Sequence, residues 1–149
     1  MEESLYDAVG GLPALTALAH AWHERCLADP VVGHAFEHGY HPDHTARLAA
    51  YWAEALGGPR DYTATVMDQS AVVRMHSGNG PHDDMDRRAL EFFVAALDDA
   101  GIPEDPRLRS TLTDYFAHGI AELNHAYPTV DEVPAGLPLT IWTWDGPGS

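Results

Sequence analysis

The chain has 149 residues, of which 45% are hydrophobic, and a formal net charge of −15 at pH 7. This length predicts one domain with a sizeable core, and the hydrophobic fraction excludes a disordered chain. All 8 basic residues are arginine, and a surface this acidic repels phosphate backbones, so we do not expect nucleic acid as a partner.

The start of the chain and its single cysteine indicate the setting of the protein. No apolar run approaches the roughly 18 residues that a membrane span requires. Met1-Glu2-Glu3-Ser4 has no basic segment followed by an apolar one, so we expect a cytoplasmic protein with no membrane partner. Cys26 is the only cysteine, which excludes an internal disulfide and a cysteine-based zinc site. Its position on an apolar stripe predicts a buried, unreactive thiol.

The first half of the chain predicts helices separated by clear breaks. Residues 5–9 can form one helical turn, which Gly10 and Gly11 end. A long helix is predicted with Pro13 in its first turn and an apolar stripe over residues 14–28. Its apolar face contains Leu15, Leu18, Ala19, Trp22, His23 and Cys26.

The next predicted helix covers residues 44–56, with Asp43 as its N-cap. An apolar turn at 31–36 and a polar loop at 37–42 precede it. Gly57-Gly58-Pro59 ends it, because glycine and proline both favour helix termination. Its apolar stripe contains His44, Leu48, Tyr51, Trp52 and Ala55.

The second half predicts three further helices, over residues 70–76, 83–100 and 106–125. The segment 77–81 breaks the first from the second, and Gly101 with Pro103 breaks the second from the third. From Tyr127 the chain is rich in proline and glycine, which predicts an irregular strap over the core. We therefore expect an all-α fold, with a domain at 1–126 and a C-terminal extension at 127–149.

The ten histidines raise the question of a metal site. No HExxH motif is present, and Glu122-x2-His125 lacks the second copy that a di-iron bundle needs. His82-Asp83 matches the adjacent pair of helical phosphohydrolases, but an aspartate at a helix start is explained by capping. Exposed or capping roles explain most of these histidines, and no phosphate-binding loop or nucleophile elbow occurs.

One histidine has a distinctive position. The run from Val72 to His76 ends at the glycine-rich break Ser77-Gly78-Asn79-Gly80, and one interpretation is that His76 is the fifth ligand of a haem iron. Apolar helices would bury the macrocycle, and candidate wall residues are Trp22, Leu48, Trp52, Phe93 and Phe116. Candidate distal residues are His23 and His44, and candidate partners of the haem propionates are Arg47 and Arg74. For His23 the pattern alone favours a core histidine bonded to a carbonyl over a side chain that faces a ligand, and both interpretations stay open.

Several segments together resemble one family. They are Tyr6-Asp7-Ala8-Val9-Gly10-Gly11, Asp29 with Val31, Phe36, Arg47-Leu48, Gly57-Gly58-Pro59-Arg60 with Tyr62, and Arg74-Met75-His76. In this order and spacing the chain resembles the truncated haemoglobins, and within them the second group, over residues 5–123. The resemblance implies a two-over-two helical sandwich around haem b. It also implies His76 as the proximal iron ligand, Phe36 as an aromatic residue on the haem, and Arg47 as a propionate partner.

The chain departs from this family on the distal side. His23 stands where the family usually has a tyrosine, and Ala89 (or Leu90) where it commonly has a tryptophan. We therefore do not transfer the tyrosine–tryptophan network that holds the ligand in these relatives, and we expect a more open pocket. If His44 itself reaches the iron, the haem is six-coordinate and incoming ligands must displace this side chain.

The resemblance implies a globin that binds dioxygen, with nitric oxide or sulfide as further ligands and oxygen transport as a role. The alternative is a haem enzyme with peroxidase or nitric-oxide dioxygenase activity, in which His23 and His44 act as acid–base groups. An electron-donor reductase is a candidate partner. A monomer and a homodimer both agree with the sequence.

Overall fold

The computed structural model describes residues 3–33, 42–77 and 83–148, and these form seven α-helices. They are α1 Leu5–Val9, α2 Gly11–Ala28, α3 His44–Ala55, α4 Asp61–Thr65, α5 Gln69–His76, α6 Asp83–Asp99 and α7 Pro106–His125. The expected all-α fold is confirmed. The C-terminal tail adds a 3-10 turn at Val130–Glu132 and two short antiparallel strands, β1 Trp142–Thr143 and β2 Gly146–Pro147.

The helix boundaries agree with the sequence prediction to within a few residues. Helix α2 begins at Gly11, a residue that the sequence prediction assigned to a break, and Pro13 lies in its first turn as predicted. Asp43 occupies the N-cap position of α3, but its side chain makes no capping hydrogen bond. At the start of α7 the Asp105 carboxylate does cap the helix, accepting from the N–H groups of Arg107 and Leu108.

A glycine pair shapes the corner between α3 and α1. Gly57 has a φ of 94°, which L side chains rarely adopt. A Cβ on Gly58 would lie only 2.5 Å from the Tyr6 ring and 2.8 Å from the carbonyl oxygen of Ala53. Close packing of Tyr6 therefore requires glycine at position 58, which gives the Gly-Gly-Pro motif a physical reason.

The core lies where α2 packs on α3 and α6, and where α6 packs on α7. Its centre is a group of four aromatic side chains from four helices: Trp22, Trp52, Phe93 and Phe116. The Phe93 and Phe116 rings stack with centroids 4.4 Å apart, and Trp52 meets Phe93 edge-on at 5.6 Å. These contacts join the α2–α3 pair to the α6–α7 pair in one hydrophobic core.

The tail packs against the helices as the predicted strap. Trp142 is buried, and its ring lies 5.7 Å from that of Tyr115 on α7. The indole N–H of Trp144 donates to the Glu3 carbonyl at 2.7 Å, and the Arg107 guanidinium lies 5.0 Å from the Trp144 ring centroid. The end of the chain is therefore fixed to both α7 and the N-terminal segment. In the described part of the chain, no helix has the length and apolar character needed to cross a bilayer.

Candidate haem site

Helix α5 fixes the orientation of His76. The Asp68 side chain caps this helix by accepting from the Ala71 N–H at 2.9 Å. At the other end, Nδ1 of His76 lies 2.8 Å from the carbonyl oxygen of Val72. Because a carbonyl can only accept, Nδ1 carries the proton. Burial lowers the pKa of His76, although the bond to Val72 opposes this. The neutral ring then presents the lone pair of Nε2, which is the form that binds a metal.

Two further imidazoles lie together on α2 and α3. The His23 and His44 rings are tilted by 42° with centroids 4.5 Å apart, and His23 is only 5% exposed. Burial lowers the pKa of His44 to about 4, and the charges of His23 and His76 add to this effect. Burial is also the main cause of the lowered pKa of His23, with His20 contributing. Both rings are therefore neutral at pH 7, and the electrostatic effect of His76 on His44 links this pair to the end of α5.

The predicted haem wall is partly described. Trp52 and Phe93 are buried in the aromatic group of the core, and Leu48 packs on the same cluster while remaining partly exposed. Phe36 lies outside the described residues. The wall candidates Trp22 and Phe116 belong to the same cluster, so all five wall residues named from the pattern of the sequence meet in one hydrophobic core.

The two arginines expected at the propionates lie in different surroundings. Arg74 on α5 donates from Nη2 to the Val133 carbonyl at 3.3 Å, so it contacts the tail. Arg47 on α3 is half-buried. Its charge acts on Tyr62: burial raises the pKa of the Tyr62 phenol, and the positive charge of Arg47 opposes this rise. A guanidinium has five N–H donors, so the bond from Arg74 to Val133 leaves donors available, and both propionate roles stay predictions.

Trp22 occupies the space near Ala89. Its indole N–H donates to the Ala89 carbonyl at 3.0 Å, and its ring packs against Trp52 and Phe116. The donor is therefore committed to the backbone of α6. Although the chain lacks a tryptophan at position 89, an indole from α2 lies beside this residue.

Sequence reasoning missed the network that holds α5 between its neighbours. Gln69 is buried, and its side chain accepts from the Tyr51 hydroxyl on α3 and donates to the Glu122 carboxylate on α7, both at 2.9 Å. These partners are 18 and 53 residues away in the chain. A buried glutamine has no periodic signature, so no sequence pattern could have indicated this network.

The residues present fit a haem. A neutral imidazole with its Nδ1–H bonded to a carbonyl is a suitable axial ligand, and two other imidazoles with an aromatic wall lie in the same region. Helices α2 and α3 form one pair of the expected sandwich, and α6 and α7 form the other. The fold and the site together define a truncated globin of the two-over-two class.

Comparison with known proteins supports this class. The family model "Bacterial-like globin" matches residues 4–122, and the chain belongs to this family. The group 1 truncated hemoglobin GlbN of Synechocystis sp. is 30% identical over 104 residues, covering 68% of this chain and 82% of that protein.

Solved structures agree. The hemoglobin of Chloroflexus aurantiacus aligns with a TM-score of 0.70 and 26% identity, covering 83% of this chain and 99% of that one. The group II truncated hemoglobin of Bacillus anthracis aligns with a TM-score of 0.73 over 84% of this chain and 93% of that one, at 16% identity, which shows a shared fold alone. Because the sequence relatives are group 1 and the fold relatives include group II, the finding is a truncated bacterial globin rather than one subgroup. A globin of this family implies a haem cofactor.

Proposed function

We propose that the chain binds haem b with Nε2 of His76 as the iron ligand, and binds dioxygen on the side of His23 and His44. The observation that carries this proposal is the bond between His76 Nδ1 and the Val72 carbonyl, on the same site as the His23–His44 pair. Haem, when bound, supplies an iron that takes up diatomic gases. The protein residues decide how firmly the haem and the gas are held.

On the proximal side, the Val72 carbonyl sets both the tautomer and the direction of the His76 ring. Donation from Nδ1 makes Nε2 a better electron donor. On the distal side, a neutral imidazole N–H of His23 or His44 would be available to donate a hydrogen bond to dioxygen, which carries partial negative charge when haem holds it. Such a bond contributes about 1–3 kcal/mol, or roughly ten- to hundredfold in ligand retention. Nitric oxide and sulfide would bind on the same side, that of His23 and His44.

The apolar residues and arginines complete the haem pocket in this proposal. Leu48, Trp52 and Phe93, together with Phe36, would contact the macrocycle. Arg47 and Arg74 would pair with the propionates, because guanidinium groups bind carboxylates well. The half-buried position of Arg47 supports its role, since it keeps the cation close to the apolar surface.

Several finer assignments belong to the same proposal. We place the chain in group II on the strength of Gly57-Gly58-Pro59-Arg60 and Arg74-Met75-His76. We divide it into a globin domain at 1–126 and an extension at 127–149, since the family match ends at residue 122. A cytoplasmic location, an electron-donor reductase and a monomeric or homodimeric state complete the proposal.

A haem enzyme is the second candidate function. The adjacent His23 and His44 rings could transfer a proton during peroxidase or nitric-oxide dioxygenase chemistry, and a neutral His44 is available as a base at pH 7. We prefer dioxygen binding, because the matched relatives carry the name of haemoglobins.

The test uses the haem-reconstituted, reduced protein. Reversible spectral change between an oxygen-free and an oxygenated buffer, with a measurable dissociation rate, supports the proposal. Sustained turnover of a reducing substrate with peroxide, together with rapid oxidation of the iron in air, would instead support the enzyme.

A further inference from the structure

The C-terminal tail meets the helix that carries His76 through one side chain. The hydroxyl oxygen of Ser70, on α5, donates to the Pro134 carbonyl at 2.7 Å and accepts from the Leu137 N–H at 3.0 Å. Ser70 is only 1% exposed. The Ser70 hydroxyl therefore bridges the carbonyl of Pro134 and the N–H of Leu137. In an ordinary β-turn, the carbonyl of the first residue and the N–H of the fourth bond directly to each other.

The tail sequence is suited to this arrangement. Residues 134–137 read Pro-Ala-Gly-Leu, and Gly136 has a φ of 76°. A positive φ at the third position of a four-residue turn is the conformation of a type II turn, which favours glycine. The conformation of the turn thus follows from its own residues, and the Ser70 hydroxyl from α5 bonds to the first and the last of them.

A second contact and two distant anchors hold the tail in place. Arg74, one helical turn after Ser70, donates to the Val133 carbonyl, and Val133 is itself buried. Further along, Trp142 packs on α7 and Trp144 donates to the Glu3 carbonyl. The tail is therefore held at α5 through Ser70 and Arg74, and at α7 and the N-terminal segment through Trp142 and Trp144.

Helix α5 depends on such support. It has 8 residues, and helices this short are marginal on their own in water. The His76 ring is bonded to the Val72 carbonyl of the same helix, so a rotation or fraying of α5 moves the imidazole with it. The path from the tail to His76 runs through Ser70, the α5 backbone and Val72.

We propose that the turn at 134–137 is a strap that fixes α5, and that Ser70 is a positioning residue for the iron ligand His76. The inference rests on the proposed role of His76, and its consequence for the site is a fixed direction of the bond from Nε2 to the iron. The tail thereby supports the helix that carries the iron ligand of the proposed haem site.

The test uses full-length variants on both sides of the contact. Ser70→Ala removes the hydroxyl, and Gly136→Ala strains the tail turn while its new Cβ meets nothing within 4 Å. The matched control for the second variant is Gly101→Ala, at the end of α6, where φ is 69° and a Cβ again meets nothing within 4 Å. Thr111→Ala controls for the loss of a buried hydroxyl, because Thr111 bonds only within α7 among the described residues.

The first measurement is amide hydrogen exchange of the α5 residues in the haem-free protein. In a free helix, alanine at position 70 would strengthen α5, because alanine has the higher helix propensity. The strap predicts the opposite sign: exchange in α5 rises about fivefold in Ser70→Ala and in Gly136→Ala, and the double variant shows little further change. Slower or unchanged exchange in α5, or an equal rise in the two controls, would overturn the proposal.

The second measurement is the iron–histidine stretching band of the reduced, unliganded holoprotein by resonance Raman spectroscopy. We expect the band to shift or broaden in Ser70→Ala and Gly136→Ala and to stay unchanged in both controls. An unshifted band with intact haem binding would refute the positioning role of Ser70. If no variant of the protein binds haem, the proposed function fails instead, and the exchange result still decides whether the tail holds α5.

Discussion

His76 has its ring direction set by its own helix, because the Val72 carbonyl four residues earlier accepts from Nδ1 at 2.8 Å. This bond fixes the tautomer that leaves Nε2 available for iron. His23 and His44 reach the site from two other helices, and burial keeps them neutral by lowering their pKa values. In the proposed haem site, Nε2 of His76 would donate its lone pair to the iron, and the ring N–H groups of His23 and His44 would be the hydrogen-bond donors to a ligand.

The distal role predicts the effect of two substitutions on dioxygen release. Either His44 or His23 donates to dioxygen in this proposal. Replacing the donating ring by leucine, in His44→Leu or in His23→Leu, should raise the dissociation rate of dioxygen about ten- to hundredfold. Stopped-flow mixing of the oxygenated protein with an oxygen scavenger measures this rate. His20→Leu is the control, since His20 lies on the exposed side of α2 and pairs there with Glu24. Unchanged rates in both distal variants and in their double variant would contradict the role.

The absorption spectrum of the ferric protein decides the coordination of the iron. If His44 is an iron ligand, the ferric protein is six-coordinate and low-spin, and His44→Leu converts it to a high-spin form. A high-spin ferric spectrum that does not respond to His44→Leu, at a pH where water ligation is controlled, would instead indicate an open distal position.

Cys26 should be unreactive in the native protein. Its side chain is fully buried on α2, and burial raises the pKa of the thiol to about 12, with the charge of Asp29 adding to the rise. Because the thiolate is the nucleophile, we expect no reaction with an aromatic disulfide reagent at pH 8 until the chain is unfolded in denaturant. Stoichiometric reaction within minutes, with the helical circular dichroism intact, would contradict the placement of Cys26.

At the scale of elements, the corner between α3 and α1 depends on the absence of a side chain at position 58. Gly58→Ala would bring a Cβ within 2.5 Å of the Tyr6 ring, and overpacking of this kind costs about 1–3 kcal/mol. In contrast, Gly119 lies inside α7 and a Cβ there meets nothing within 4 Å. Gly119→Ala should therefore stabilise the protein by about 0.5–1 kcal/mol.

Urea denaturation of the two alanine variants measures the free energy of unfolding. The pair tests the packing of the corner rather than the general effect of replacing glycine, because the two expected changes have opposite signs. A loss of stability in both variants, or a gain in both, would show that the Tyr6 contact does not govern position 58.

The helices could be predicted because their signals are local. The stripe from Leu15 to Cys26 has helical spacing, and Gly57-Gly58-Pro59 and Asp105-Pro106 mark an end and a start that the structure confirms. In the tail, residues 137–144 give only a weak strand signal, which covers β1, and β2 has no signal because a strand of two residues has no period. The pair Gly10-Gly11 predicts a break between α1 and α2, but the structure has Gly11 as the first residue of α2. Glycine is compatible with both conformations, so the sequence does not define where α2 begins.

The site itself was only partly predictable. His23 and His44 lie on apolar stripes and His76 ends an apolar run, so all three can be singled out from the sequence, and the structure places the rings of His23 and His44 side by side. The contacts of Gln69 and Ser70 could not be predicted from the sequence, because their partners Glu122 and Pro134 lie 53 and 64 residues away in the chain. Contacts over such separations depend on the folded arrangement of α5, α7 and the tail rather than on any local pattern.

At the scale of the whole molecule, the net charge of −15 opposes folding, because the compact state brings carboxylates of like charge together. Salt screens this repulsion over distances of about 10 Å at 0.1 M. We expect the thermal midpoint of the haem-free protein to rise by roughly 2–4 °C between about 0.02 M and 0.3 M sodium chloride, as for a gain of about 1 kcal/mol. A midpoint that falls with salt would show that surface ion pairs such as Arg25–Asp99 outweigh the net repulsion.

The central claim is that this globin holds haem through His76, and the absorption spectrum of the reconstituted protein tests it most directly. Ferric and dithionite-reduced spectra would be recorded for the natural chain, for His76→Ala and for His20→Ala. We expect one haem per chain with an intense Soret band in the natural protein and in His20→Ala, and loss of the histidine-ligated spectrum in His76→Ala. Retention of that spectrum in His76→Ala, or no haem binding by the natural chain, would rule out His76 as the residue that holds the haem.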